Sequence, residues 1–197
     1  MFADPIANSR TTGILLHPSS LPGSPICGTF GAPARQWLHY LALNGIGIWQ
    51  FLPLSPCDST GSPYNSPSAF AINPFFLDAE DLIEEGFLTK ALAAKLPGNS
   101  YGSIDFVNLS LAQSRSEVLG KCLRNNWSKQ SKETQNQFND WCYSQKWLEN
   151  YVSFVELRRQ HNQLPWWNWP DDLAKYNEKS LSKWRNLYHN KLLEHKL

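Results

Sequence analysis

Between Ser55 and Pro74 the chain reads SPCDSTGSPYNSPSAFAINP, a stretch in which hydroxyl and amide side chains far outnumber charges. Asp58, Ser59, Ser62, Tyr64, Asn65, Ser66, Ser68 and Asn73 form a set suited to holding a polyol. Hydroxyls and amides exchange hydrogen bonds with sugar hydroxyls, and a phenol ring offers a flat face and a polar tip. Pro56, Pro63, Pro67 and Pro74 each fix φ and push the preceding residue toward an extended shape. The segment therefore reads as a shaped loop. The competing reading is a connecting loop whose prolines supply stiffness alone.

Other chemistries find little support. General acid–base work needs a pair of positioned carboxyls. Asp81 and Glu84–Glu85 fall in a short surface helix, Asp105 in a linker and Asp171–Asp172 at a helix start, so each reads as a cap or a solvated charge. His17 closes a short strand, where it can meet a substrate or bond to the next loop. Trp49 and Gln50 point to opposite faces of one strand and read as scaffold. Trp166, Trp167 and Trp169 invite a sugar-platform reading, but their place in a helical region favours packing. Phosphate loop, metal-ligand set and nucleophile–base pair are all missing from the pattern, and no cofactor is implied.

The elements that must position the loop start at Gly13. Gly13 to His17 is a short apolar strand stopped by Pro18, and Ser19 to Gly31 is a loop rich in Pro, Gly and Ser. A helix is predicted from Pro33 to Asn44 with Gly45 as its cap. Ala34, Trp37, Leu38 and Leu41 make its apolar stripe. Ile46 to Leu54 is an almost unbroken apolar run, the pattern of a parallel strand buried on both faces. The result is a βαβ unit whose two outgoing loops, Pro18 to Gly31 and Ser55 to Pro74, open on one rim. The class is thus α/β.

Beyond Pro74 the reading turns helical. Phe75 to Leu77 is a short strand, and Asp78 starts a helix closed by Gly86. A helical turn at Thr89 to Lys95 precedes a linker over Pro97 to Ser103. Helices follow at Ser110 to Asn125, Glu133 to His161 and Ser180 to Glu194, the second burying Phe138, Trp141, Leu148 and Val152. Residues 1–77 are read as the start of a barrel and 78–197 as a mainly helical subdomain.

Composition narrows the partners. Lys+Arg 18 against Asp+Glu 17 gives a net charge of +1, so no field directs the chain to nucleic acid or an anionic membrane. No window approaches the roughly twenty apolar residues of a membrane span, and Met1 to Arg10 lacks a signal-peptide pattern. Cys27, Cys57, Cys122 and Cys142 show no metal spacing and read as reduced, mostly buried thiols of a cytoplasmic protein.

Three motifs in order, LLHPSSLPG (Leu15 to Gly23), WQFLPLSP (Trp49 to Pro56) and SPYNSPSAFAINP (Ser62 to Pro74), resemble the amino-terminal signature of the amylomaltase or disproportionating-enzyme family. These are 4-α-glucanotransferases of glycoside hydrolase family 77. A fourth stretch, Trp147 to Leu173, is similar to that family's W-x-x-x-Y-x-x-F-x-x-L…W-x-x-W-P segment. Together the matches run from Gly13 to about Leu173.

The resemblance implies a (β/α)₈ barrel, of which this chain carries the opening βαβ part followed by a helical insertion. It implies retaining transfer of α-1,4-glucan segments between maltooligosaccharides, through two carboxyl groups about 5 Å apart, and no cofactor. It also implies that those carboxyls lie in later motifs (R-x-D-H-F, E-D-L-G, H-D-N) that do not occur here. No catalytic residue is assigned. Substrate contacts carry over to Ser62, Pro63 and Tyr64, which match S-P-Y, to Asn65 in place of the usual glutamine, and to His17. Ser59 stands where some members carry a tyrosine of a remote glucan site. The expected molecule is the inactive front of a transferase. A barrel with open edges also predicts self-association. The alternatives are a non-catalytic glucan-binding fragment and a structural or interaction protein.

Overall fold

The computed structural model describes residues 10–22, 26–58, 60–98 and 106–197. Most of the lead-in over Met1 to Thr12 and of the linker over Pro97 to Ser103 lies outside the described residues, as do Gly23, Ser59 and Asp105. The chain divides into two compact units, 1–118 and 119–197.

In the first unit, strand β1 (Gly13–Leu15), helix α1 (Ala32–Leu43) and strand β2 (Ile48–Gln50) form the predicted βαβ sequence, with β1 and β2 paired in parallel. Gly13 faces Ile48 and Leu15 faces Gln50. Pro33 sits in the first turn of α1, where a missing N–H costs nothing. At the other end Gly45 takes φ 68°, and the Ile46 amide donates to the Leu41 carbonyl at 3.0 Å, so the chain turns from helix into strand.

The second strand is shorter and barer than its apolar run predicts. Among the described residues, pairing is limited to Ile48–Gln50 and two flanking bonds, from the Gly47 amide to the Thr12 carbonyl and from the Leu16 amide to the Gln50 carbonyl. Leu15 is 56% exposed and Phe51 42%. A parallel strand is covered on both faces only when further strands and helices flank it, and among the described residues the sheet has two strands. Leu38, predicted on the buried stripe of α1, is likewise exposed, whereas Ala34 and Leu41 are buried.

A 3-10 turn occupies Pro74–Phe76, where a short strand was expected. Pro74 cannot donate to a ladder, and the Asn73 side chain accepts from the Phe75 amide, which starts the turn instead. Helix α2 (Ala79–Glu84) is capped by Asp78 and ends before Gly86 at φ 79°; α3 (Lys90–Ala93) is capped by Thr89. Helix α4 (Leu109–Trp127) begins where Asn108 Oδ1 accepts from the Leu111 amide. Ile26, Cys27, Phe76 and Ala112 make the buried core here, with Leu54, Phe75 and Leu111 against it. Burying a side chain such as Phe76 contributes about 1.5–3 kcal/mol.

The second unit takes up α5 (Lys132–Ser144), α6 (Leu148–Gln160), a 3-10 turn at Trp166–Asn168, α7 (Asp171–Ala174), α8 (Glu178–Leu187) and α9 (His189–Lys196). Two helices that periodicity draws as continuous are each broken. Between α5 and α6 neither Gly nor Pro marks the break. The Ser144 hydroxyl bonds back to the Trp141 carbonyl at 2.7 Å, and Gln145 leaves helical angles at ψ 84°. Tyr188 separates α8 from α9 with its ring packed on Trp184, centroids 5.1 Å apart.

One cluster of this unit joins Leu148, Val152 and Leu192; a second joins Leu157, Trp169 and Leu181. Trp141, predicted inside, is 48% exposed. Cys27 is buried, and Cys57, Cys122 and Cys142 are half-buried, so the expectation of mostly buried thiols is only partly met. No helix among the described residues is long and apolar enough to cross a membrane.

Candidate functional site

The loop that leaves β2 is braced by its own side chains. Asp58 is its centre. Asp58 Oδ1 accepts from the Thr60 amide at 2.9 Å, the Thr60 hydroxyl at 2.6 Å and the Ser62 amide at 3.3 Å. Its Oδ2 accepts from the Asn65 side-chain amide at 2.6 Å. The Thr60 hydroxyl above all, then Asn65 and the two backbone amides, pull the Asp58 carboxyl down to about 2. Between these donors Gly61 adopts φ 79°, a turn geometry that disfavours side chains.

Farther along, Ser66 and Ser68 do the same work over shorter spans. Ser66 Oγ donates to the Ser68 carbonyl and accepts from the Ser68 amide, while Ser68 Oγ accepts from the Phe70 and Ala71 amides. Asn73 is buried. Its amide proton goes to the Leu54 carbonyl at 2.8 Å and its side chain reaches Cys57 Sγ at 3.7 Å, so it ties the loop's end to its start.

Most polar groups proposed from sequence to meet a polyol are thus engaged within the loop. Ser62 accepts from the Tyr64 amide at 3.4 Å, and Pro63 is half-buried between them. Tyr64 itself is displayed, 74% exposed, with Phe70 and Ile72 exposed beside it in sequence. The arrangement presents aromatic and apolar surface on a polar, internally bonded frame.

His17 occupies a different place. Its ring meets Phe76 edge-on with centroids 5.5 Å apart, and Phe30 meets the same ring at 5.4 Å. Burial lowers its pKa, so the imidazole is neutral at neutral pH. The first loop reaches the end of the second through this aromatic group and through the Phe30 amide, which donates to the Phe76 carbonyl at 3.0 Å. The His17 ring packs in this aromatic group, and its buried Nδ1 has no hydrogen-bond partner among the described residues, while Ser62, Pro63, Tyr64 and Asn65 are consecutive on the braced turn.

The Trp-rich turn divides by environment. Trp169 is a core residue, its indole N–H bonded to the Leu164 carbonyl at 3.1 Å. Trp166 and Trp167 are 50% and 65% exposed, so packing, predicted for the whole turn, holds for Trp169 alone. Thr60 was missed from sequence. The signal was present, since Asp-x-Thr starts an Asx turn that a following Gly can complete. No group of three or more His, Cys, Asp or Glu among the described residues is placed to hold a metal ion.

Comparison with known proteins gives this geometry a context. The 4-alpha-glucanotransferase family model matches residues 16–197. The chain is 32% identical over 189 residues to a 4-alpha-glucanotransferase of Synechocystis, covering 95% of this chain and 37% of that protein. It is 38% identical over 173 residues to the 4-alpha-glucanotransferase of Thermus thermophilus, covering 87% and 33% respectively. Amylomaltase from Streptococcus agalactiae, solved in complex with acarbose, superposes with a TM-score of 0.85 at 25% identity over 95% of this chain and 38% of the other. The chain spans about a third of the length of the relatives it matches. With the family model covering all but the first fifteen residues, the chain belongs to the 4-alpha-glucanotransferase family.

Proposed function

We propose that this chain supplies one rim of the glucan cleft of a 4-α-glucanotransferase. In this reading residues 1–77 open a (β/α)₈ barrel and 78–197 form a mainly helical insertion. Maltooligosaccharides are the substrates. Tyr64 lays its ring on the apolar face of a glucose unit and offers its hydroxyl to a sugar oxygen, with Ser62, Pro63 and Asn65 fixing its position. The single observation that carries this is a tyrosine 74% exposed on a loop whose own polar groups hold it in shape.

Retaining transfer needs a nucleophilic carboxylate and an acid/base carboxyl about 5 Å apart. None of the acidic residues in this chain lies in the motifs that the family resemblance assigns to these groups, so the 197-residue chain binds glucan without transferring it. Calorimetric titration with maltoheptaose tests the binding. Tyr64→Ala should weaken it about tenfold, the equivalent of about 1.4 kcal/mol. Unchanged affinity in that variant, or transfer activity of the 197-residue chain on maltotriose, would overturn the reading.

A further inference from the structure

We propose that Asp58 is a positioning residue for Tyr64, a carboxylate latch that sets the angle at which the ring is presented to glucan. This rests on Tyr64 being the glucan contact.

The argument starts from what holds Tyr64 in place. Among the described residues, the backbone amides of Tyr64 and Asn65 make long hydrogen bonds: the Tyr64 amide reaches Ser62 Oγ at 3.4 Å, and the Asn65 amide reaches the Ser62 carbonyl at 3.4 Å. The short bonds, both 2.6 Å, run instead to Asp58, from the Thr60 hydroxyl and the Asn65 side chain. Hydrogen bonds to an ionised acceptor are roughly twice as strong as neutral ones.

Geometry explains why a carboxylate is needed. Four donors, two from backbone and two from side chains, converge on one group from Thr60, Ser62 and Asn65. A carboxylate has two oxygens with about four acceptor sites and no proton to misplace. The Ser62 amide on one oxygen and the Asn65 side chain on the other grip the two residues that flank Pro63–Tyr64. Asp58 therefore closes a ring of chain with the tyrosine at its far side. With its pKa drawn down to about 2, the carboxyl stays charged throughout the neutral range.

Asn65 acquires a role from the same contact. The side chain immediately after Tyr64 is turned back onto the latch, so its length and the carboxylate's position are matched. Exchanging the two groups, Asp58→Asn with Asn65→Asp, keeps one amide–carboxylate pair across the ring.

The test uses the 197-residue chain, with ¹⁵N relaxation at the Tyr64 amide and maltoheptaose titration read together. Asp58→Ala should lower the Tyr64 order parameter into the flexible range, below about 0.6, and weaken maltoheptaose about tenfold. Adding Asp58→Ala to Tyr64→Ala should cost no further affinity, which a general loss of fold would not reproduce. The exchanged pair should recover most of the order lost in Asp58→Asn alone. An unchanged Tyr64 order parameter in Asp58→Ala overturns the latch. If Tyr64→Ala leaves affinity untouched, the functional reading fails, and the relaxation measurement still decides whether Asp58 holds the loop.

Discussion

His195 Nε2 stands 3.0 Å from Glu156 Oε2, joining α9 to a carboxylate in α6 that is fully buried. Glu156 also accepts two bonds from Arg159, at 2.8 and 2.6 Å, and one from Gln160 at 2.8 Å. Gln160 in turn accepts from the Trp184 indole of α8 at 3.2 Å. One carboxylate therefore organises three helices.

Acid should act through this group. Burial alone would push the Glu156 pKa up; the bonds from Arg159, His195 and Gln160 outweigh it and hold the carboxyl below the usual carboxylate range. A folded pKa below the unfolded value of 4.5 means the stabilisation is present above that value and is lost as pH falls through the folded one. Urea unfolding followed from neutral pH downward should show stability falling below about pH 4.5, with a shallower slope in Glu156→Gln. Glu156→Ala should cost about 3 kcal/mol, the low end for a broken buried pair, because Arg159 is 46% exposed and keeps its water.

Two tryptophans two positions apart should respond oppositely to truncation. Trp169→Ala empties a buried site lined by Leu157 and Leu181 and should cost about 3–5 kcal/mol. Trp167→Ala removes a ring that is 65% exposed and should stay within about 0.5 kcal/mol. Chemical denaturation of both variants checks the contrast.

Asp78 serves two elements at once. One oxygen caps α2 and the other accepts from the Thr29 hydroxyl at 2.5 Å. Asp78→Ala should destabilise by about 1–2 kcal/mol, and Asp78→Asn by less, since an amide oxygen can still cap. A Cβ at Gly31 would lie 2.2 Å from the same carboxyl. Gly31→Ala should therefore also lower the thermal midpoint, and lower it less when Asp78→Ala is present.

The uncovered apolar side chains around the βαβ unit predict association. Leu15, Leu38, Leu43 and Phe51 are 56%, 51%, 73% and 42% exposed, and the sheet has two strands among the described residues. Sedimentation velocity should show a mass that rises with concentration, and Leu15→Lys with Phe51→Lys should suppress the rise. A monomer at every concentration would contradict this expectation.

How far the sequence could be read depended on whether the deciding interaction was local. The βαβ order and the caps at Gly45, Asp78 and Gly86 were legible because each is set by a few adjacent residues. The extent of β2 was not, because an apolar run reports what a strand is suited to meet and not what flanks it. The breaks at Gln145 and Tyr188 also escaped, since apolar spacing continues across both and no Gly or Pro interrupts it. At the site, Tyr64 could be singled out from its motif. That Asp58, Ser66 and Ser68 spend their hydrogen bonds inside the loop required coordinates, because a serine that meets a sugar and one that braces a turn look alike in sequence.

The self-contained bracing of residues 58–74 bears on how any ligand would be met. Three prolines and a carboxylate with four donors define this surface before contact. Little ordering entropy then remains to be lost on association, so complex formation should be fast and should leave the backbone where it already lies.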